Sequence, residues 1–325
     1  MNLIHTTVFS DGPGGGNPAP VFLEADSMTT GEMQQAAANL GQEAVFVLKP
    51  DRENCGVRLR YFVPDHELTI CAHDTIGALT VLLKEGTLDE GAGTVTVQTE
   101  AGPFRADWEK EALPASGSGA AAGAENRFLI MLEQNLPEFR EAAAFGTAEI
   151  ARALRIPESS LAVTPETPAE CASTSRFKLM VPVKDRETLD SLEPDFEYLW
   201  QLCDACECSG FYVFARDPEK PDTCYARQFP CRSGYDEDPA TGIAAAALGA
   251  YWVKHALNAL KPGWNRLKVY QGHAMGRPSF LAADIHLAEK PGAAAGAAAP
   301  AIDGVRVCGY AEILGPGEET GGGSL

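Results

Sequence analysis

The sequence contains no run of basic residues, no apolar stretch of the roughly 18 residues a membrane span needs, and no cationic, apolar leader. Cations are scarce altogether: 26 Lys and Arg stand against 45 Asp and Glu, a formal net charge of −19. Such a surface repels phosphate backbones and anionic headgroups, so neither nucleic acid nor a membrane is expected as a partner. The start, Met1-Asn2-Leu3-Ile4-His5, lacks a signal-peptide pattern, and a cytoplasmic protein is expected. The longest uncharged apolar stretch, Pro239 to Val253, is interrupted by Gly242 and Gly249 and reads as a soluble core helix. Nine cysteines, an odd number, argue for free buried thiols over a disulfide framework. What is present is ample: 325 residues, 45% of them apolar, are enough for two domains, each with its own core.

Three stretches consist mainly of small residues, Pro114–Ala124, Pro291–Ala301 and Gly315–Leu325, which bury too little surface to offset their ordering entropy. They suggest an N-terminal domain over 1–113, a linker or loop over 114–125, a C-terminal domain over 126–314 whose last strand is free to cross to the first domain, and a disordered tail over 315–325. The run within 291–301 reads as a hairpin insertion. Short apolar or alternating runs predict strands at Ala19–Leu23, Ala44–Leu48, Val57–Val63, Thr94–Gln98, Phe128–Leu132, Phe177–Val183, Gly210–Ala215, Leu267–Gln271 and Phe280–His286. Helical periodicity predicts helices at Thr29–Leu40, Asp74–Lys84, Thr147–Leu154, Leu189–Cys203 and Thr241–His255. The class is α+β. An internal echo accompanies it: Arg60-Tyr61-Phe62 leads over eleven positions to Cys71, and Arg227-Gln228-Phe229 over twelve to Pro239, each followed by a small-residue helix. A pseudo-twofold duplication accounts for this, and would let two helix N-termini, with their unpaired N–H groups, face a common cleft suited to a small carboxylate.

Several residues stand out for chemistry. Glu43 precedes the apolar run Ala44–Leu48, where a carboxylate at a strand mouth is partly desolvated and apt for acid/base work; the plain alternative is a solvated Glu at a strand start. His73 opens a helix beside Asp74, either to bind a carboxylate and shuttle protons or simply as a polar helix end. Asp238 before Pro239 serves as a helix cap whatever else it does. Cys71 reads better as a small buried residue than as a reactive thiol. Cys203, Cys206 and Cys208 form a Cys-X2-Cys-X-Cys run, but a structural zinc wants a fourth ligand and the next cysteine along the chain with a claim is Cys224. No metal is expected, and Leu202, Cys206 and Phe211 are read as core. The Gly-rich run Asp11–Asn17 lacks the ending of a phosphate loop and reads as a turn.

Four segments in order resemble the phenazine-biosynthesis-like (PhzF-like) isomerases of the diaminopimelate-epimerase superfamily: Asp11–Val21, ending Gly16-Asn17-Pro18-Ala19; Gly41-Gln42-Glu43-Ala44-Val45-Phe46; Arg60–Gly77 with Cys71-Ala72-His73; and Arg227–Ala245 with Glu237-Asp238-Pro239-Ala240-Thr241-Gly242. A fifth, Gln271-Gly272 with Gly276-Arg277-Pro278, resembles the family's late strand-turn-strand. The resemblance implies two pseudo-symmetric domains, each a curved, mostly antiparallel sheet or barrel around a central helix, in a homodimer. It implies a cofactor-independent isomerase that moves a proton on a small carboxylated metabolite, with Glu43, His73 and Asp238 catalytic, and with Asn17, Ala72, Thr241, Gly242, Ile243 and Gly272 binding substrate. Three positions depart from the family pattern: Ala72 for Gly, Asp74 for a small residue, and Ile243 for Ser. Pro239 stands where two-base racemases carry their second cysteine. An amino-acid racemase or epimerase, and a binding protein that has lost activity, are the alternatives.

Overall fold

The computed structural model describes residues 2–112, 126–142, 144–257, 260–288 and 301–315. The expected linker at 114–125, most of the hairpin insertion and the tail beyond Gly315 lie outside them. The chain forms two compact units. The first takes the chain up to Glu133, apart from Asp11–Gly15, and resumes at Cys308; the second holds Asp11–Gly15 and Gln134–Val307.

In the first unit the strands lie in the order Asn2–Ile4, Val21–Leu23, Ala44–Leu48, Val57–Phe62, Thr94–Thr99, Gly102–Ala112 and Asn126–Glu133. Thr6–Val8 forms a second, small sheet between Asn17–Pro18 and Ala311–Ile313. Helix α1 (Thr30–Leu40) makes the crossover into Ala44–Leu48, and α2 (Ala72–Lys84) the crossover into Thr94–Thr99. Thr29 starts α1 through a reciprocal capping box with Glu32. Helix α2 is apolar on nearly every side, and every residue from Asp74 to Leu83 is buried. It therefore sits inside the unit, touching Val21–Leu23 and Ala44–Leu48 towards one end of the sheet, Asn126–Glu133 at the other, and two strands of the small sheet.

The second unit repeats this plan. Its strands run Glu138–Glu141, Glu170–Ser173, Lys178–Pro182, Gly210–Arg216, Thr223–Pro230, Gly263–Gln271, Ser279–Leu287 and Ile302–Gly309. From Asn2–Ile4 onward the pairings in the first sheet go antiparallel, parallel, antiparallel, parallel, antiparallel. From Glu170–Ser173 onward the strands of the second unit give the same series. After α3 (Thr147–Leu154), α4 (Arg186–Asp190) and α5 (Phe196–Ala205) fill the first crossover, and α6 (Gly242–Lys254) the second. Helix α6 has the same 13-residue length as α2 and is likewise buried almost throughout. The echo extends to side chains. Arg60 grips Glu67 at 2.7 and 2.6 Å and lies 5.1 Å over the Phe62 ring; Arg227 grips Glu237 at 2.9 and 2.7 Å and lies 5.0 Å over Phe229. The fold is thus α+β with an internal duplication.

One expectation is corrected. The single helix over Leu189–Cys203 is two, because the chain leaves helical form between Asp190 and Phe196, where Pro194 lies and Asp195 caps α5 through the Tyr198 N–H.

Candidate active site

Glu43 is placed by the way α1 ends. Gly41 takes a left-handed φ of +67° and its N–H closes onto Ala37 and Ala38, so the chain reverses at once into Ala44–Leu48. Ala44, Val45 and Phe46 are fully buried, and Glu43 is carried to the mouth of that strand with its Oε1 buried. His73 is the second residue of α2. Its Nδ1 lies 3.2 Å from the Cys71 sulfur, and its Nε2 lies 3.7 Å from Glu43 Oε2 and 3.5 Å from Asp74 Oδ1. Thr75 braces this turn, donating to the Cys71 carbonyl at 2.6 Å and meeting the hydroxyl of the buried Tyr61 at 2.7 Å.

Asp74 is completely buried, with the Glu43 carboxyl and the Cys71 thiol as its hydrogen-bonding neighbours. Burial, and then the neighbouring Glu43 charge, push its carboxyl well above the ordinary carboxylate range. Desolvation first, and the two carboxylates after it, likewise push the Cys71 thiol well up. Glu43, Cys71, His73 and Asp74 bring ligand-type atoms within 4.8 Å of one another, so a metal ion could span them. An imidazole between two carboxyls is equally a proton relay, and a carboxyl and thiol that burial keeps protonated suit that use better. Of the other residues singled out in this unit, Ala72 opens α2, half-exposed, and Asn17 pairs with Val8 in the small sheet.

The second unit gathers Asp238, Thr241 and Gly272. The Asp238 N–H donates to the Gln228 carbonyl at 3.1 Å, while its carboxylate accepts from the Thr241 hydroxyl at 2.6 Å and from the Ala240 N–H at 3.3 Å, a side-chain turn at the start of α6. Sequence reasoning gave Gln271 no role, yet this fully buried amide organises the loop. It donates to the Asp238 carbonyl at 2.7 Å and the Thr241 hydroxyl at 3.1 Å, and accepts from the Thr241 N–H at 3.3 Å and the Tyr212 hydroxyl at 2.9 Å. Gly272 must be glycine: its φ is +78°, and a Cβ would meet the Arg277 carbonyl at 2.2 Å and that of Pro239 at 2.7 Å. Gly242 is buried as the first residue of α6, and Ile243, half-buried, accepts from the Thr174 hydroxyl at 3.5 Å. Two cations feel the Asp238 charge. Burial lowers the Lys178 ammonium to about 8 and depresses the Arg277 guanidinium, and Asp238 opposes both shifts. Sequence reasoning gave neither a role: Lys178 lies within an apolar strand, and Arg277 enters only as part of the Gly276-Arg277-Pro278 turn.

Comparison with known proteins sets these sites in context. A family model described as "Phenazine biosynthesis-like protein" matches residues 6–304. The chain is 34% identical over 283 residues to an uncharacterized isomerase, YddE, of Escherichia coli K12, covering 86% of this chain and 88% of that one. A Bacillus anthracis protein of the PhzF family superposes with a TM-score of 0.76 at 24% identity, over 97% of this chain and 98% of that one. A probable proline racemase from Agrobacterium radiobacter K84 shares the fold at a TM-score of 0.55 and 14% identity, over 96% and 91% of the two chains. A duplicated α+β plan, a family match across almost the whole chain and relatives named as isomerases agree: the chain belongs to the phenazine-biosynthesis-like (PhzC-PhzF) family of isomerases.

Proposed function

We propose that the protein is a cofactor-independent isomerase in which Glu43 lifts a proton from a carbon of a small carboxylated metabolite and returns it elsewhere on the same face. The observation that carries this reading is the Glu43 carboxylate, set at the mouth of a buried strand with one oxygen buried and the other 3.7 Å from His73 Nε2. A carboxylate so placed can take a carbon-bound proton, and an imidazole beside it can relay the proton or hold the substrate. His73 and Asp238 orient the substrate, and the N–H groups opening α2 and α6 stabilise charge that develops on its carboxylate. Lys178 and Arg277, both within the field of Asp238, favour an anionic substrate. Asn17, Ala72, Thr241, Gly242, Ile243 and Gly272 form the substrate's surroundings in this reading. A Cys71 thiol pushed well up is a poor thiolate base, which supports glutamate over thiol chemistry. The division into domains over 1–113 and 126–314, a cytoplasmic location and a homodimeric assembly belong to the same proposal.

The test is proton exchange. Incubated in heavy water with candidate small carboxylic acids, the protein should wash deuterium into a carbon position of its substrate. Glu43→Gln should still bind that compound while turnover falls 100-fold or more, the loss expected when a general acid/base goes. An unchanged rate in Glu43→Gln would overturn the mechanism. Binding without exchange across the series would instead favour a binding protein.

A further inference from the structure

The strands of the second unit alternate their faces, and one face carries polar side chains to which the reaction as described gives no specific partner. Leu179, Phe211 and Phe229 point into the apolar core shared with α3 and α5. Their chain neighbours Lys178, Gly210 and Gln228 therefore point to the opposite face. That is the face α6 covers, since Phe214 sits edge-on to Tyr251 of that helix at 5.6 Å. Lys178 and Gln228 are buried, 6% and 1% exposed, and both converge on one peptide. The Lys178 ammonium donates to the Ser209 carbonyl at 3.3 Å, and the Gln228 Nε2 stands 2.7 Å from where a Gly210 Cβ would lie. Gly210 keeps that space open: its φ is +146°, and a Cβ would also strike the Phe229 carbonyl at 2.4 Å. The start of α6 lies close by. Thr174, which follows the strand paired with Lys178, donates to the Ile243 carbonyl at 3.5 Å. Tyr212, the cross-strand partner of Gln228, reaches through Gln271 to the Thr241 N–H.

Neither group is satisfied. Among the described residues neither polar atom of the Gln228 amide has a hydrogen-bond partner, and the Lys178 ammonium uses one of its three donors and has no ion pair. Buried polar groups are as a rule paired, because one left bare forfeits its hydration for nothing. Elsewhere in this unit buried charges close on a partner, Arg227 on Glu237 and Lys254 on Glu170. We propose that Lys178 and Gln228 form a specificity subsite of the active site that holds a second carboxylate of the substrate, which is thus a small dicarboxylic acid. The inference rests on the isomerase reading given above and refines its substrate class. One oxygen of the second carboxylate accepts from the ammonium and the other from Gln228 Nε2, a pair of contacts in which one donor is charged. Asp238 does not compete for the ammonium at close range, since its carboxylate is closed on the Thr241 hydroxyl and the Ala240 N–H.

Binding tests the subsite without turnover. Malonate, succinate, glutarate and adipate, titrated calorimetrically into the full-length protein, are each compared with the monoacid of equal chain length: propionate, butyrate, valerate and hexanoate. At least one diacid should bind about tenfold or more tightly than its monoacid, the effect of one charge-assisted contact. Lys178→Met keeps the apolar stem, removes the charge and should abolish that preference while leaving monoacid affinity unchanged; Gln228→Leu should reduce it. Both changes replace a buried, poorly paired polar group by an apolar one, so the fold should survive them, and if one variant fails to fold the other carries the comparison. Glu43→Gln should lose proton exchange yet keep the preference for diacids, which tells a failed mechanism from a failed subsite. The proposal is overturned if no diacid outbinds its monoacid in the wild type. It is equally overturned if Lys178→Met keeps the preference, or if that variant loses both kinds of acid alike.

Discussion

Asp74 shows what burial does to a charge that the sequence presents as ordinary. Read along the chain it is an acidic residue in the first turn of a helix, where the dipole welcomes it; in the fold it has no exposed surface and faces Glu43. Because its carboxyl is raised in the native state, the folded protein holds that proton more tightly than the unfolded chain. Its contribution to stability is therefore complete below the ordinary carboxyl value of 3.8 and is lost as pH rises through the raised native value. Asp74→Asn copies the protonated form and should flatten this dependence. Melting curves over an acid-to-alkaline series should show wild type losing stability relative to the variant as pH rises; parallel curves would refute the assignment. Glu43 and His73 were legible from their motif, since local features, a strand mouth and a helix start, place them. Asp74 and Gln271 were not, because what makes each of them special is a neighbour distant in sequence that only the fold supplies.

At the scale of elements, the two central helices each carry a glycine at a close approach. A Cβ on Gly77 would come within 2.8 Å of the Thr6 hydroxyl oxygen and 3.1 Å of the Ala19 Cβ; one on Gly249 would come within 2.6 Å of the Ala283 Cβ and 3.1 Å of Ile285 Cδ1. Neither glycine adopts a left-handed φ, so the constraint is packing and not backbone freedom. Gly249→Val should destabilise the protein by about 1–3 kcal/mol through overpacking, read as a lower denaturant midpoint with an unchanged slope. Gly31→Ala, at a site with nothing within 4 Å of the new Cβ, is the control and should be neutral or slightly stabilising. Helix positions were readable where period and cap agreed, as at Thr147–Leu154, which stands where periodicity put it. The break between α4 and α5 was not, because apolar residues on both sides kept a helical spacing across Pro194. Gly102–Ala112 gave no apolar run to read, as charged residues alternate along it.

For the whole molecule, the repeated series of strand pairings makes the duplication a property of topology and not only of two short motifs. Arg60 and Arg227 hinted at it in sequence, yet the correspondence of six strands in each unit could not be read from runs as short as Asn2–Ile4. Homodimerisation is the assembly proposed. Sedimentation at micromolar concentration should give twice the mass of one chain, and the mass of a single chain would count against it.

The route of the chain through its two units also sets an order on biosynthesis. The first unit is completed only by residues from Cys308 onward, and Thr6–Val8 acquires Ala311–Ile313 as its neighbour on one side. On a ribosome that strand emerges after the strands of the second unit, so the stretch before it encodes a unit that must wait, with an open sheet edge, while nearly all of the second is made. The second can close first. A nascent chain would then spend most of its synthesis exposing the edge at Thr6–Val8, and chaperone dependence during translation should fall on the half of the protein made first.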